Sequence, residues 1–239
     1  MMNGLRALAR LSAAIVLVMS AQTANADGDR ARSLKDHSRP MSWAGFYIGA
    51  NAGLATGDTQ GVPDLGGPPG LFATDYNLDG AIYGGQVGYN WQTGLLLLGV
   101  EGSLSGTSVQ GSTTCAVLLG CKREIEWLAT VTGRVGYVMG NSLLYGLAGV
   151  AWGDVSTDVS LLGTPLLRAE ETHVGWIAGF GFEHALSKQI SARIEYAHVD
   201  LGSETHALAP VGGGPFVIND AVEVKVDTIR LGVNVKLTP

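Results

Sequence analysis

Hydrophobic and polar residues alternate along eight stretches of this chain, most clearly between Glu124 and Met139. One face of that stretch carries Ile125, Trp127, Ala129, Val131, Gly133, Val135, Tyr137 and Met139. The opposite face carries Glu124, Glu126, Thr130, Thr132, Arg134 and Gly136, and Leu128 and Val138 break the pattern. A period of two residues indicates a β-strand rather than a helix. A strand crosses a bilayer with about 9–11 residues, whereas a helix needs about 20.

The same alternation predicts eight strands in the chain. They cover residues 43–56, 80–91, 95–106, 124–139, 143–155, 172–185, 190–201 and 222–237. Short turns at 92–94, 140–142 and 186–189 alternate with long connections at 57–79, 107–123, 156–171 and 202–221. Short periplasmic turns and long extracellular loops are typical of outer-membrane barrels. Val222, Val224 and Val226 are out of phase with the residues that follow, which predicts a bulge near Asp227.

The N-terminal region predicts export. Arg6 and Arg10 precede the apolar stretch 11–19, and Ala24-Asn25-Ala26 resembles a cleavage site, so residues 1–26 are predicted to be a signal peptide. Residues 27–42 are predicted to be a polar periplasmic leader, and 43–239 the barrel. The net charge of −6 becomes −8 when the two arginines are removed, and an acidic chain argues against nucleic acid as a partner.

The positions of the tryptophans favour a membrane barrel over a secreted β-sandwich, which also has alternating strands. All five fall near predicted strand ends: Trp43 and Trp91 on the turn side, and Trp127, Trp152 and Trp176 on the loop side. Aromatic rings gather at the two lipid–water interfaces of a bilayer. We therefore predict an all-β fold, an eight-stranded antiparallel up-and-down transmembrane β-barrel.

The face opposite the apolar one carries charged residues that are predicted to point into the barrel. They are Glu101, Glu126, Arg134, Glu183, Arg193, Glu195, Arg230 and Lys236. Such a set is compatible with an ion path, but an eight-stranded barrel is just wide enough for its own side chains to fill. A network of salt bridges that closes the interior is therefore the preferred interpretation, with inward glycines making room for the longer side chains.

Cysteine and histidine residues are few. Cys115 and Cys121 lie close together in the second long connection of an exported chain, which predicts a local disulfide. The histidines are scattered, and no metal site or cofactor is expected from them. His198 on the lipid face with Ser203 nearby raises the alternative of an esterase site, but no serine is expected beside it on a neighbouring strand.

Several short motifs occur together and in order. They are 43–49 (WAGFYIG), 85–92 (GQVGYNWQ), 98–102 (LGVEG), 133–137 (GRVGY), 144–146 (LYG), 175–179 (GWIAG), 193–196 (RIEY) and 199–202 (VDLG). As a set they resemble the alphaproteobacterial family of small outer-membrane β-barrel surface antigens, often labelled "porin family protein". The resemblance implies a Gram-negative outer membrane, contact with its lipid and lipopolysaccharide, and insertion by the barrel-assembly machinery. Family members usually end on an aromatic residue, where this chain has Leu237.

Three functions follow from these features as hypotheses. The first is a non-enzymatic barrel that contributes to envelope integrity and displays surface antigens. The second is a narrow porin-like channel for ions or small solutes. The third is binding of haemin or a host ligand through the extracellular loops, as the resemblance implies for some members; His173 and His206 lie near the outer end.

Overall fold

The fold is a closed barrel of eight antiparallel strands. A computed structural model describes residues 42–63, 76–116, 119–162, 164–211 and 218–237, so the predicted signal peptide and all but the last residue of the leader lie outside it. The strands are β1 (Gly45–Pro63), β2 (Tyr76–Thr93), β3 (Leu96–Ala116), β4 (Leu119–Met139), β5 (Ser142–Leu161), β6 (Thr164–Ala185), β7 (Ile190–Pro210) and β8 (Ile218–Lys236). Each strand pairs with the next, and β1 pairs with β8, as predicted. In the described ranges, no helix is long and apolar enough to span a membrane.

The strands are longer than predicted at one end of the barrel. Gly94 and Gly140, both at φ +61°, make the tight turns at the other end, where a left-handed backbone favours glycine. Most of the four stretches predicted as long connections is instead strand: β5 continues to Leu161, and β6 begins at Thr164. Their serine, threonine and valine residues form further rungs of the ladder, which satisfies backbone donors and acceptors that a loop would leave to water.

An apolar band surrounds the half of the barrel that is nearer to the tight turns, which we call the lower half. On β1 the outward residues from Phe46 to Leu54 are apolar, and on β2 the band runs from Trp91 to Tyr83. Each run matches the roughly 9–11 residues of a membrane-crossing strand. Trp91 packs edge-to-face on Tyr89 near the turn end. Trp176, half-exposed, lies near the upper limit of the band, so aromatic side chains occur at both of its edges.

Above this band the two faces of the wall exchange character. Outward positions become polar: going up β8, the outward residue Ile229 is succeeded by Asp227 and then by Lys225. Inward positions become apolar and form a buried group that we call the upper apolar layer: Leu78, Ile82, Ile125, Leu128, Val155, Ile177, Val199, Leu201, Val222, Val224 and Val226. The upper barrel therefore resembles a water-soluble β-barrel, with an apolar core and a polar surface.

Two bulges reverse the facing of β4 and β7 at this level. The β4–β5 register shifts between Ile125 and Leu128, and the β7–β8 register shifts between Asp200 and Ser203. The bulge predicted near Asp227 is wrong, because β8 pairs with β1 without any register shift. Val222, Val224 and Val226 of β8 point inward, in the same phase as Thr228 and Arg230. At this level the inward face changes from polar to apolar, but the direction of the side chains does not change.

Leu78 in the upper apolar layer provides a test of this inversion. Replacing Leu78, which is fully buried, by alanine leaves a cavity and is expected to lower the free energy of unfolding by about 2–5 kcal/mol. The control is Leu162→Ala, at a residue 76% exposed, with an expected change within about 0.5 kcal/mol. Urea titration of the refolded barrel measures both, and equal midpoints would contradict an apolar core at this level.

Candidate functional site: the charged interior of the barrel

Six charged side chains from five strands meet inside the lower half of the barrel. In order of contact they form the chain Glu183–Arg134–Glu101–Arg193–Glu195–Arg230. Carboxylates and guanidiniums alternate along this chain, so its three negative and three positive charges cancel. We call these six residues the ion-pair chain. All six are nearly fully buried, and their alternation means that each charge has an opposite neighbour.

Glu101 is the central acceptor of the ion-pair chain. Its Oε2 atom lies 2.7 Å from Nη1 of Arg193 and 3.2 Å from Nη1 of Arg134. The Tyr47 hydroxyl donates to the same oxygen at 2.7 Å and accepts from Nη1 of Arg134 at 2.5 Å. Glu101 thus joins β1, β3, β4 and β7 through one carboxylate. A buried carboxylate needs such donors, because an unpaired one carries a large desolvation penalty.

Neighbouring polar side chains complete the two ends of the chain. At one end, Glu195 contacts Arg230 at 3.2 Å and accepts from the Tyr145 hydroxyl at 2.8 Å. The Arg134 guanidinium lies over the Tyr145 ring, 4.0 Å from its centroid. At the other end, Glu183 lies 3.1 Å from Arg134 and accepts from the Asn234 amide at 2.8 Å. The guanidinium charges are therefore held by carboxylates and an aromatic face together.

The two tyrosines were missed by the sequence analysis. A Cβ atom at Gly88 would collide with Tyr47, and one at Gly181 would collide with Tyr145. Each tyrosine therefore crosses the interior through a space that a glycine on the adjacent strand leaves open. The signal was present in the sequence, since both tyrosines occupy the inward phase of their strands opposite an inward glycine.

Glu126 and Lys236 were assigned to this network and do not belong to it. Glu126 is exposed on the outer surface, because the β4 bulge reverses the facing of the strand above Leu128. Its carboxylate accepts from the Ser156 hydroxyl at 3.0 Å. Lys236 lies at the turn-side rim, where its Nζ donates to the backbone carbonyl of Ser42 at 2.8 Å. The same bulge turns Arg123 inward, a residue that the sequence analysis did not select.

The tryptophans predicted at the interfaces occupy two kinds of position. Trp91 and Trp176 are half-exposed on the outer surface, and Trp127 and Trp152 are partly exposed near the upper edge of the apolar band. Trp43 is buried, so its assignment to the interface is wrong. Its backbone N–H donates to the Gln92 side chain at 2.7 Å, which places it against the turn-side end of the barrel.

Apolar side chains also pack at the lower end of the ion-pair chain. Trp43, Leu97, Val138 and Leu143 are buried at this level, and we call them the lower apolar layer. A cavity of about 20 Å³ beside it is bordered by Trp43, Tyr47, Glu183, Asn234 and Lys236, among others. A volume of that size accepts about one water molecule. The ion-pair chain thus has buried apolar side chains above it and at its lower end.

The remaining candidate residues are placed as follows. The side chain of Cys115 lies outside the part that the structure describes, so the disulfide with Cys121 stays a prediction. His198 faces outward, with its Nδ1 2.8 Å from Asp227, and no serine contact accompanies it among the described hydrogen bonds. Among the described residues, no three His, Cys, Asp or Glu side chains are grouped to hold a metal ion.

Comparison with known proteins agrees with this architecture. The family model of the outer membrane protein beta-barrel domain matches residues 11–236. A 31 kDa outer-membrane immunogenic protein of Brucella melitensis is 34% identical, over 82% of this chain and 84% of the relative. A 22 kDa outer membrane protein of Rhizobium leguminosarum is also 34% identical, over 82% of this chain and 78% of the relative. Outer membrane protein OprG of Pseudomonas aeruginosa is 13% identical, with a TM-score of 0.49, over 82% of this chain and 99% of that chain. The chain belongs to the outer membrane protein beta-barrel family and is an outer-membrane protein.

Proposed function

We propose that this protein is a non-enzymatic, non-conducting barrel that strengthens the outer membrane and displays its upper half at the cell surface. The observation that carries the proposal is the ion-pair chain, which is buried, electrically neutral and flanked by apolar side chains above it and at its lower end. An ion that entered from either end would have to leave water for an apolar environment, which has a large desolvation cost. The outward apolar band supplies the contact with membrane lipid and lipopolysaccharide.

Rigidity of the wall follows from the same interior. The ion-pair chain receives side chains from β3, β4, β6, β7 and β8, and Tyr47 adds β1. Neighbouring strands of any barrel are joined by backbone hydrogen bonds, but two contacts of the ion-pair chain tie strands that are not neighbours in the ladder, Glu183 with Arg134 and Glu101 with Arg193. Arg134 on β4 to Glu183 on β6 is one such contact, at 3.1 Å. Such ties resist deformation of the barrel cross-section, which suits a structural role in the envelope.

Arg134 tests the mechanical role of the ion-pair chain. Replacing Arg134 by alanine leaves Glu101 and Glu183 with fewer cationic partners, and we expect the free energy of unfolding to fall by about 3–5 kcal/mol. The matched control is Arg168→Ala: this guanidinium lies on the outer surface, 2.7 Å from Glu170, and its loss is expected to cost no more than about 1 kcal/mol. Urea titration in lipid vesicles measures both variants. Equal losses would show that the interior pairs are no more important than a surface pair.

Planar-bilayer recording tests the absence of conduction. Wild-type protein is expected to give no discrete channel openings, and Glu101→Ala is expected to give none either, because both apolar layers remain in place. A porin of known conductance in the same membrane controls for insertion of protein. Discrete openings in the wild type would remove this proposal in favour of a narrow channel.

Surface display is supported by the names of the relatives, since the Brucella melitensis protein is described as immunogenic. With the turns at the periplasmic side, the β5–β6 turn at Leu162 is expected outside the cell. An epitope inserted after Leu162 should be stained by antibody on intact cells. An epitope inserted after Ser187, in a turn at the opposite end, should be stained only after the outer membrane is permeabilised. The reverse result would overturn the orientation.

A further inference from the structure

The wall of the upper barrel contains an interruption between β6 and β7. Starting at the turn that joins them, β6 and β7 pair in register up to the rung formed by Trp176 and Asp200. Register pairing resumes only at Arg168 with Ala209, so the described stretches between these two rungs are not matched residue by residue. Gly202, at φ +69°, marks the β7 bulge at the start of this interval. We call the unmatched stretch, 169–175 on β6 with 201–208 on β7, the seam.

Two buried histidines join the strands across the seam. The Nε2 atoms of His173 and His206 are 2.8 Å apart, and neither residue is exposed to solvent. The ring centroids are 5.1 Å apart, so the rings point towards each other end to end along a hydrogen bond. A metal ion bound to both Nε2 atoms would need about 2.0–2.1 Å to each. An end-to-end separation of 2.8 Å leaves no space for it, and the pair is a direct N–H···N contact.

We propose that His173 and His206 form an acid-sensitive latch that keeps the seam closed. In the neutral pair one imidazole donates a proton and the other accepts it. When both rings are protonated, both are donors and both are cations, so the hydrogen bond is lost and replaced by repulsion. The contact lies in a part of the wall that the regular backbone ladder does not reinforce. Its loss is therefore expected to open the seam locally while the lower barrel remains intact.

The surroundings of the latch contain groups of both signs. Arg123 on β4 faces both rings and opposes their protonation, whereas Glu171 on β6 and Glu204 on β7 favour protonation of His173. Thr157 on β5 is 3.3 Å from Nδ1 of His206, and Asp220 is the register partner of His206 on β8. Both rings lie above Trp176 and Asp200, outside the membrane-crossing part of the wall.

Burial is the main cause that lowers the pKa of both histidines. The pKa of His206 falls to about 4, with further lowering by His173 and Arg123, and the pKa of His173 is also below its usual range. The pKa of an exposed imidazole is about 6.5. The closed seam is therefore favoured above about pH 6.5, loses stability as the pH falls towards about 4, and loses no more below that value. For His206 alone, a fall of the pKa to about 4 favours opening at pH 4.5 over pH 7 by a factor on the order of ten or more.

Hydrogen–deuterium exchange of the refolded protein in detergent micelles tests the latch. Labelling at pH 7.0 and 4.5, corrected for intrinsic amide exchange, should show protection in the seam falling by at least about tenfold at the lower pH. Protection of residues 46–54 on β1 should not change. His206→Gln should make the acid effect several-fold smaller than in the wild type, because the amide does not titrate and can accept from His173 in either protonation state of that ring. His198→Gln, at an outward histidine, should respond to acid like the wild type.

Seam protection that is the same at both pH values would overturn the proposal, and so would an undiminished acid effect in His206→Gln. If that variant does not fold, the imidazole resonances of the wild type provide a second measurement. Both His173 and His206 should titrate below pH 6.5. Titration of either ring at or above that value would contradict the latch.

Discussion

The neutrality of the ion-pair chain is the constraint on which the lower barrel depends. Lipid surrounds the wall at this level, so the outward face must be apolar, and alternation then directs polar residues inward. Charges confined to so narrow an interior are tolerable only if each has an opposite partner. Three carboxylates and three guanidiniums achieve this in an alternating series, with Tyr47 and Tyr145 filling the spaces that inward glycines leave.

In the upper barrel the same strands have water outside instead of lipid, which reverses the requirement on their two faces. Outside it is water, so Asp227, Lys225 and Glu126 can face outward, and the interior can be filled by apolar side chains. The bulges on β4 and β7 change the facing of their strands at this transition. The seam begins at the β7 bulge. The bulge that reverses the facing of β7 is therefore followed by a stretch whose closure depends on His173 and His206.

Local alternation explains which features could be predicted. Arg134 and Glu101 were assigned to the interior because their strands keep one phase throughout the membrane-crossing part. Glu126 was misassigned because its facing was taken from the phase of Thr130 and Arg134, whereas the bulge between Ile125 and Leu128 reverses the facing of the residues beyond it. Trp43 was misassigned because an aromatic residue near a strand end is compatible with an interface and with a buried position at the barrel rim.

The sequence by itself determined the number of strands, their order and the face that meets lipid, because the alternation of apolar and polar residues along each strand specifies these properties. Only the closed barrel decided which inward groups meet. Arg193 contacts Glu101 at 2.7 Å across 92 residues of sequence, and no local pattern specifies that pairing. Closing the ring sets the distance of every inward side chain from those on the opposite wall. The ion-pair chain, the two apolar layers and the histidine contact therefore belong to the tertiary structure.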